Sequence, residues 1–297
     1  MLAVKVAVID VGSNSVRLLV ARVERGDVKE LGREREYLRL GDDAYRLGRI
    51  GIEKLAQTSE VARRYSRLAR RAGCERLETI VTAPGRQAEN GDELVDILAR
   101  ATRAPVVVLS AEDEGRLAWH GAVSRLSDPP GTVAVVDLGG GSCEVAVGEP
   151  GRGPSWVESR DAGALRVTRA FLPSDSPSQE DVAAARTQVL VLLAGLDPPR
   201  PETALAVGGT ARAVGRLVGK RFGEDELAKL AKSIVRKGAN KVVAGTGITP
   251  ERGETLLGGT LVLAELARLL ETPLEVGRGG LREGAALALA HDKAAVA

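Results

Sequence analysis

Val8-Ile9-Asp10-Val11-Gly12-Ser13-Asn14-Ser15-Val16-Arg17-Leu18-Leu19-Val20 and Val135-Val136-Asp137-Leu138-Gly139-Gly140-Gly141-Ser142-Cys143-Glu144-Val145-Ala146-Val147 align without a gap, at an offset of 127 residues. In each, an apolar run carries an aspartate at its end. A short turn of glycine and serine follows, and a second apolar run resumes. That pattern reads as strand, turn, strand. One such turn arises readily by chance. Two in register, each opening one half of the chain, predict a duplicated fold.

Working outward, residues 28–40 read as a third strand region. Residues 52–72 carry Leu55, Val61, Ala62, Tyr65, Leu68, Ala69 and Ala72, the spacing of a long amphipathic helix closed near Gly73. Short strands are expected at 77–82 and 105–109, with a helix at 92–102 between them. Ser110-Ala111-Glu112-Asp113 has the form of a helix cap. Ser127-Asp128-Pro129-Pro130-Gly131 punctuates the chain and gives the expected boundary, with domains at 1–126 and 127–297. Beyond it, strands are expected at 132–137, 143–148, 155–160 and 205–207. Helices are expected at about 164–171, 179–195, 210–219, 224–237, 254–270 and 281–292. Both halves mix strands with helices, so the expected class is α/β in two domains.

The 297 residues suit two domains of ordinary size. Lysine plus arginine exceed acids by two, which disfavours a nucleic-acid binder as the default, and 2% aromatics leave little for base stacking. Two distant cysteines, Cys74 and Cys143, form no disulfide framework and suit a reducing cytoplasm. Two histidines make a histidine metal site improbable. The start is broken by Lys5 and Asp10, unlike a signal peptide, and no apolar run reaches membrane-spanning length. A cytoplasmic protein without membrane or nucleic-acid partners is expected.

The chemistry suggested by the turns is anion binding. Successive backbone N–H groups at Gly12 and at Gly139, Gly140 and Gly141 can form a nest, with Ser13, Asn14, Ser15 and Ser142 adding donors. Asp10 and Asp137, at strand ends, suit a hydrated divalent cation, and Glu144 is a second carboxylate beside the latter. The plain alternative is a tight hairpin with its loop amides capped. Gly208-Gly209-Thr210 follows a strand and opens a helix, a position that favours anions and is equally met in ordinary capping. Glu112, Asp113 and Glu114 complement a helix dipole, which does not bar one of them from catalysis. Arg86 suits a phosphate clamp or a surface pair with Glu89 or Asp92. Lys220, Arg221, Lys229, Lys232, Arg236, Lys237 and Lys241 form a basic stretch, either a solvated helix face or a polyanion track, with Lys229, Lys232 and Arg236 on one face.

Five segments together resemble the exopolyphosphatase and guanosine pentaphosphate phosphatase family, a branch of the actin-like ATPase superfamily. They are Ile9 to Ser15; Thr82 to Gly91 with Arg86; Ser110 to Leu117; Val136 to Glu144; and Gly280-Leu281-Arg282-Glu283-Gly284. The resemblance implies two actin-like (ribonuclease H-like) domains around a central cleft, with the last helix a candidate to pack back on the first domain. It implies magnesium-dependent hydrolysis of the terminal phosphate of inorganic polyphosphate or of guanosine pentaphosphate, and a homodimer. The family's catalytic glutamate is the second acid of a Glu-Glu-Ala-Arg run. Here the run is Asp113-Glu114-Gly115-Arg116, so the role falls on Glu114. Asp137 and Glu144 take the magnesium side, with Asp10 a further candidate.

Two departures bear on secondary phosphate contacts. Arg278-Gly279-Gly280 stands where relatives often have Asp-Gly-Ala, and Arg252-Gly253-Glu254 where Arg-Ala-Asp is common. The extra C-terminal helical domains of longer relatives are missing, so short chains are the expected substrates. The competing functions are a non-catalytic sensor of polyphosphate or alarmone and an actin-like kinase or ATPase.

Overall fold

The structure is a computed structural model and describes residues 3–127, 131–172 and 177–291. Asp128 to Pro130 of the expected boundary, and residue 292 at the expected end of the last helix, lie outside the described residues. The chain divides into two compact units, Met1–Leu126 with Gly279–Ala297, and Ser127–Arg278.

The first unit is built in the order β1 (Val4–Val11), β2 (Val16–Glu24), β3 (Asp27–Glu36), α1 (Leu40–Leu47), α2 (Ile52–Arg71), β4 (Arg76–Val81), α3 (Ala83–Gln87), α4 (Gly91–Thr102), β5 (Val106–Val108) and α5 (Ala111–Val123). Its sheet runs β3-β2-β1-β4-β5. β1 and β2 pair antiparallel, as do β2 and β3, while β4 pairs parallel with β1 and β5 with β4. The helix expected at 52–72 forms because Leu55, Val61, Ala62, Tyr65 and Ala69 fall on one face. That face is buried with Ile9, Val11 and Leu18 of the sheet. Ser110 caps α5, accepting the Asp113 N–H at 3.0 Å.

The second unit continues with β6 (Val133–Leu138), β7 (Cys143–Glu149), β8 (Gly153–Arg160), α6 (Ala164–Phe171), α7 (Gln179–Leu192), β9 (Thr203–Val207), α8 (Gly208–Val218), β10 (Arg221–Phe222), α9 (Glu224–Lys237), α10 (Ala239–Val243), α11 (Pro250–Gly253), α12 (Leu256–Leu269) and β11 (Leu274–Val276). Its sheet runs β8-β7-β6-β9-β11-β10. With β10 set aside, strand order and strand directions repeat those of the first unit. The α/β duplication expected from the two turns is therefore present.

After β11 the chain enters α13 (Leu281–His291), which belongs to the first unit and buries Leu281, Ala285 and Ala286 with Val6, Val8 and Ala118. α13 lies backbone to backbone on α5. A Cβ added at Gly284 would collide with the Leu117 carbonyl, and one at Gly121 with the Gly280 carbonyl. These glycines permit the approach of the helix that carries Glu114.

The structure departs from the sequence reading in a few elements. The third strand stops at Glu36, and Leu40 instead starts α1 as its one buried residue, after Arg39 in left-handed backbone. The helix expected at 254–270 is α12, which starts two residues later at Leu256, and the short α3, α10 and α11 lie outside the expected helices. β10 and β11, of two and three residues, are too short to show periodicity. Among the described residues no helix is long and apolar enough to cross a membrane.

Candidate active site

Both turns share one backbone skeleton. The Gly12 N–H donates to the Ser15 carbonyl at 3.1 Å, and the Gly139 N–H to the Ser142 carbonyl at 3.1 Å. In each unit the helix after the third strand then takes the turn's carbonyls. Arg39 and Gly41 N–H groups donate to Asn14 and Ser13 at 3.1 and 2.8 Å. Ala164 donates to Gly139, and Leu165 and Arg166 to Gly140, all at 3.0 Å. The Arg166 side chain adds a bond to the Gly141 carbonyl at 3.1 Å. With carbonyls drawn to these helices, the amide edge of each turn is left for an anion.

In the first unit, Asp10, Ser13, Asn14 and Ser15 are all buried. Neither polar atom of the Asn14 side chain has a hydrogen-bond partner among the described residues. A buried amide left so is costly, and a bound anion or its water would satisfy it. Arg17 Nε donates to Ser15 Oγ at 3.0 Å and stands opposite Asp10 across the strand pair. A Cβ added at Gly12 would lie 3.7 Å from Thr82 Oγ1 and 3.8 Å from Asp10 Oδ1, so all three converge on the turn.

Glu114 sits in the first turn of α5 with its side chain 8% exposed. Arg86, from α3, donates to Glu114 Oε2 at 2.9 Å and to the Leu109 carbonyl at 2.8 Å. The structure thus joins Arg86 to the candidate catalytic acid. By contrast, Glu112 pairs with Arg116 on the surface, and Asp113 closes the cap on Ser110. Of the three acids, only Glu114 is buried.

In the second unit, Asp137 stands directly opposite Glu144 in the antiparallel pair. Glu144 is 1% exposed and its Oε1 accepts from Ser159 Oγ at 2.9 Å. Like charges at opposed positions repel, and a cation between them would offset that. Cys143, between the turn and Glu144, has its thiol pushed well above the ordinary range, first by burial and then by the charges of Glu144 and Asp137. Two carboxylates fit magnesium, which keeps several waters and takes few protein ligands. Among the described residues no group of three or more His, Cys, Asp or Glu side chains gathers for a metal, and Asp10 joins no such group.

Gly208, at φ +92°, lets α8 begin beside this acid: a Cβ there would lie 3.1 Å from Asp137 Oδ1. Thr210 is buried in the first turn of α8. The resemblance tied the Arg252 segment to secondary phosphate contacts, and the structure sets the Arg252 side chain against the start of α8. It is buried, its Nη1 lies 3.5 Å from Thr210 Oγ1, and a Cβ at Gly209 would collide with its guanidinium. A cation at a helix N-terminus opposes the dipole, and an anion lodged there would reconcile the two. Gly163 was not singled out in the sequence. Its lack of a side chain lets α6 reach the turn, since a Cβ would collide with the Gly140 backbone. Neither contact is local in sequence.

The basic stretch divides around α9. Lys229, Lys232 and Arg236 face a groove of about 650 Å³ against α7, and Lys237 and Lys241 line a separate pocket.

The Ppx/GppA phosphatase family matches residues 19–293. Exopolyphosphatase 2 of Mycobacterium tuberculosis (strain CDC 1551 / Oshkosh) is 29% identical, over 96% of this chain and 98% of the relative. Exopolyphosphatase 1 of Mycobacterium bovis is 29% identical, over 94% of this chain and 86% of the relative. The crystal structure of the Aquifex aeolicus Ppx/GppA family member superposes with a TM-score of 0.82 at 25% identity, over 98% of this chain and 99% of that one.

Proposed function

The chain belongs to the Ppx/GppA phosphatase family and is a phosphoanhydride hydrolase; we propose that it removes the terminal phosphate of inorganic polyphosphate, with magnesium. Short chains are the favoured substrates in this reading, and guanosine pentaphosphate is a second substrate with the same terminal bond. The observation that carries the reading is Glu114, a buried carboxylate fixed by Arg86 at 2.9 Å on a helix that two glycine contacts hold in place.

Glu114 would take a proton from water as its oxygen attacks the terminal phosphorus. The bridging P–O bond then breaks, and orthophosphate leaves. Arg86 holds the Glu114 carboxylate in one orientation. The amide edges of the two turns, Asn14 and the Arg252 guanidinium would bind phosphate oxygens and steady the charge that moves between them. Asp137 and Glu144 would hold magnesium, which when bound neutralises phosphate charge. Phosphoryl transfer needs mainly positioning and electrostatic stabilisation, which this set supplies.

Orthophosphate release from short polyphosphate, long polyphosphate and guanosine pentaphosphate, with magnesium, tests the reading beside Glu114→Gln. The variant is expected to lose about 10²–10⁴-fold in turnover, with substrate binding retained. Tight binding without release in the wild type would instead make the protein a sensor. Transfer of phosphate from ATP to an acceptor would make it a kinase.

A further inference from the structure

The second unit has a pocket of about 450 Å³ whose lining includes Thr168, Arg169, Lys237, Asn240, Lys241 and Glu254. α6 connects it to the turn at Gly139 to Ser142, and α11 connects it to the start of α8. α6 gives its first residues to the carbonyls of Gly139 and Gly140, and one turn later gives Thr168 and Arg169 to the pocket. Three residues of helix advance roughly 4.5 Å, so the pocket begins about that far along α6 from the turn. α11 sets Arg252 against Gly209 and Thr210, and the next residues, Gly253 and Glu254, form the pocket wall.

The charge is uneven. Glu254 is met by Arg169 at 3.5 Å. Lys237 and Lys241 are exposed and have no ion-pair partner among the described residues. Lys237 lies in the last turn of α9, where a cation offsets the helix dipole. Lys241 lies in the last turn of the five-residue α10, where a cation likewise offsets the helix dipole.

We infer that this pocket is a second phosphate subsite, in which Lys237 and Lys241 hold phosphates of the substrate chain distal to the bond that is cut. The inference rests on the polyphosphate reading above. A polyanion with a repeating charge suits it, because lysine binds phosphate as a point charge without demanding one orientation. Tripolyphosphate, with three phosphates, offers the fewest to this pocket beyond those held at the turn, whereas a chain of intermediate length offers more.

The test is steady-state orthophosphate release from tripolyphosphate and from intermediate-length polyphosphate. It compares wild type, Lys237→Gln/Lys241→Gln and a control, Lys229→Gln/Lys232→Gln, which removes the same charge from the other side of α9. The first variant is expected to raise KM for the longer chain about three- to tenfold, as expected for two exposed ionic contacts. Its kcat and its tripolyphosphate kinetics should stay at wild-type values. Added salt should raise the wild-type KM for the longer chain more than that for tripolyphosphate, and this difference should shrink in the variant. An equal KM rise in the control would assign the effect to net charge and overturn the subsite. So would a lowered melting temperature with unchanged KM, which marks a structural role. A wild type that releases phosphate from neither substrate overturns the hydrolase reading itself, and the subsite with it.

Discussion

The residue opposite Asp10 is Arg17, whereas the residue opposite Asp137, at the equivalent register, is Glu144. The two turns otherwise close with the same hydrogen bond and hand carbonyls to the helix after the third strand of their own unit, α1 or α6. The duplicated backbone therefore makes two similar anion nests, and one side chain seven residues past each aspartate sets their charge. The first turn carries its own cation. The second carries two carboxylates, which under the magnesium proposal would hold a bound one.

The largest effect that could break this comparison is in magnesium dependence. Glu144→Gln should weaken magnesium activation by roughly a hundredfold, whereas Arg17→Gln should leave the magnesium requirement where it is. Titration of phosphate release with magnesium, with melting temperatures as a folding control, measures both. Equal shifts in the two variants would mean that the turns do not divide the work in this way.

The braces behind the turns differ as well. α6 makes a close backbone approach to the second turn that Gly163 permits, whereas α1, besides its two backbone bonds to the first turn, is braced by side chains. Asp43 accepts the Gly51 N–H at 2.9 Å and pairs with Lys54 at 2.7 Å, and Lys54 donates to the Arg39 carbonyl at 2.7 Å. Gly163→Ala forces a methyl into the Gly140 backbone and should cost about 1–3 kcal/mol. Denaturant unfolding reads that loss, and phosphate release should fall further than stability does, because Gly140 belongs to the nest. A variant as stable as wild type would show that α6 can retreat without cost.

What was legible in the sequence was local. The repeat could be read because its strand, turn and strand are contiguous, and Ser110 marked its helix because a cap is decided within four residues. The pairing of Arg86 with Glu114 was not, because 28 residues separate them and two obvious acids, Glu89 and Asp92, lie nearer in the chain. Arg252 reaches Thr210 across 42 residues, from the four-residue α11, which is too short to show a face. α1 was hidden because a helix that buries one residue shows no face.

The smallest effect sharpens the comparison at the first brace. Burial alone would raise the Asp43 carboxyl, but the Lys54 contact and the Gly51 N–H outweigh it and hold the group below its ordinary value of 3.8. A carboxyl lowered in the folded state adds stability that is present above its unfolded value and is lost as pH falls through the folded one. Asp43→Asn should therefore lower stability at neutral pH by about 1 kcal/mol or less. The gap to wild type should then close as the solution is acidified below 3.8. Unfolding curves across that range decide it. A gap that closes means that α1 is held by charge, as the comparison requires. A gap that persists in acid means that it is held by packing, and the two braces are then alike.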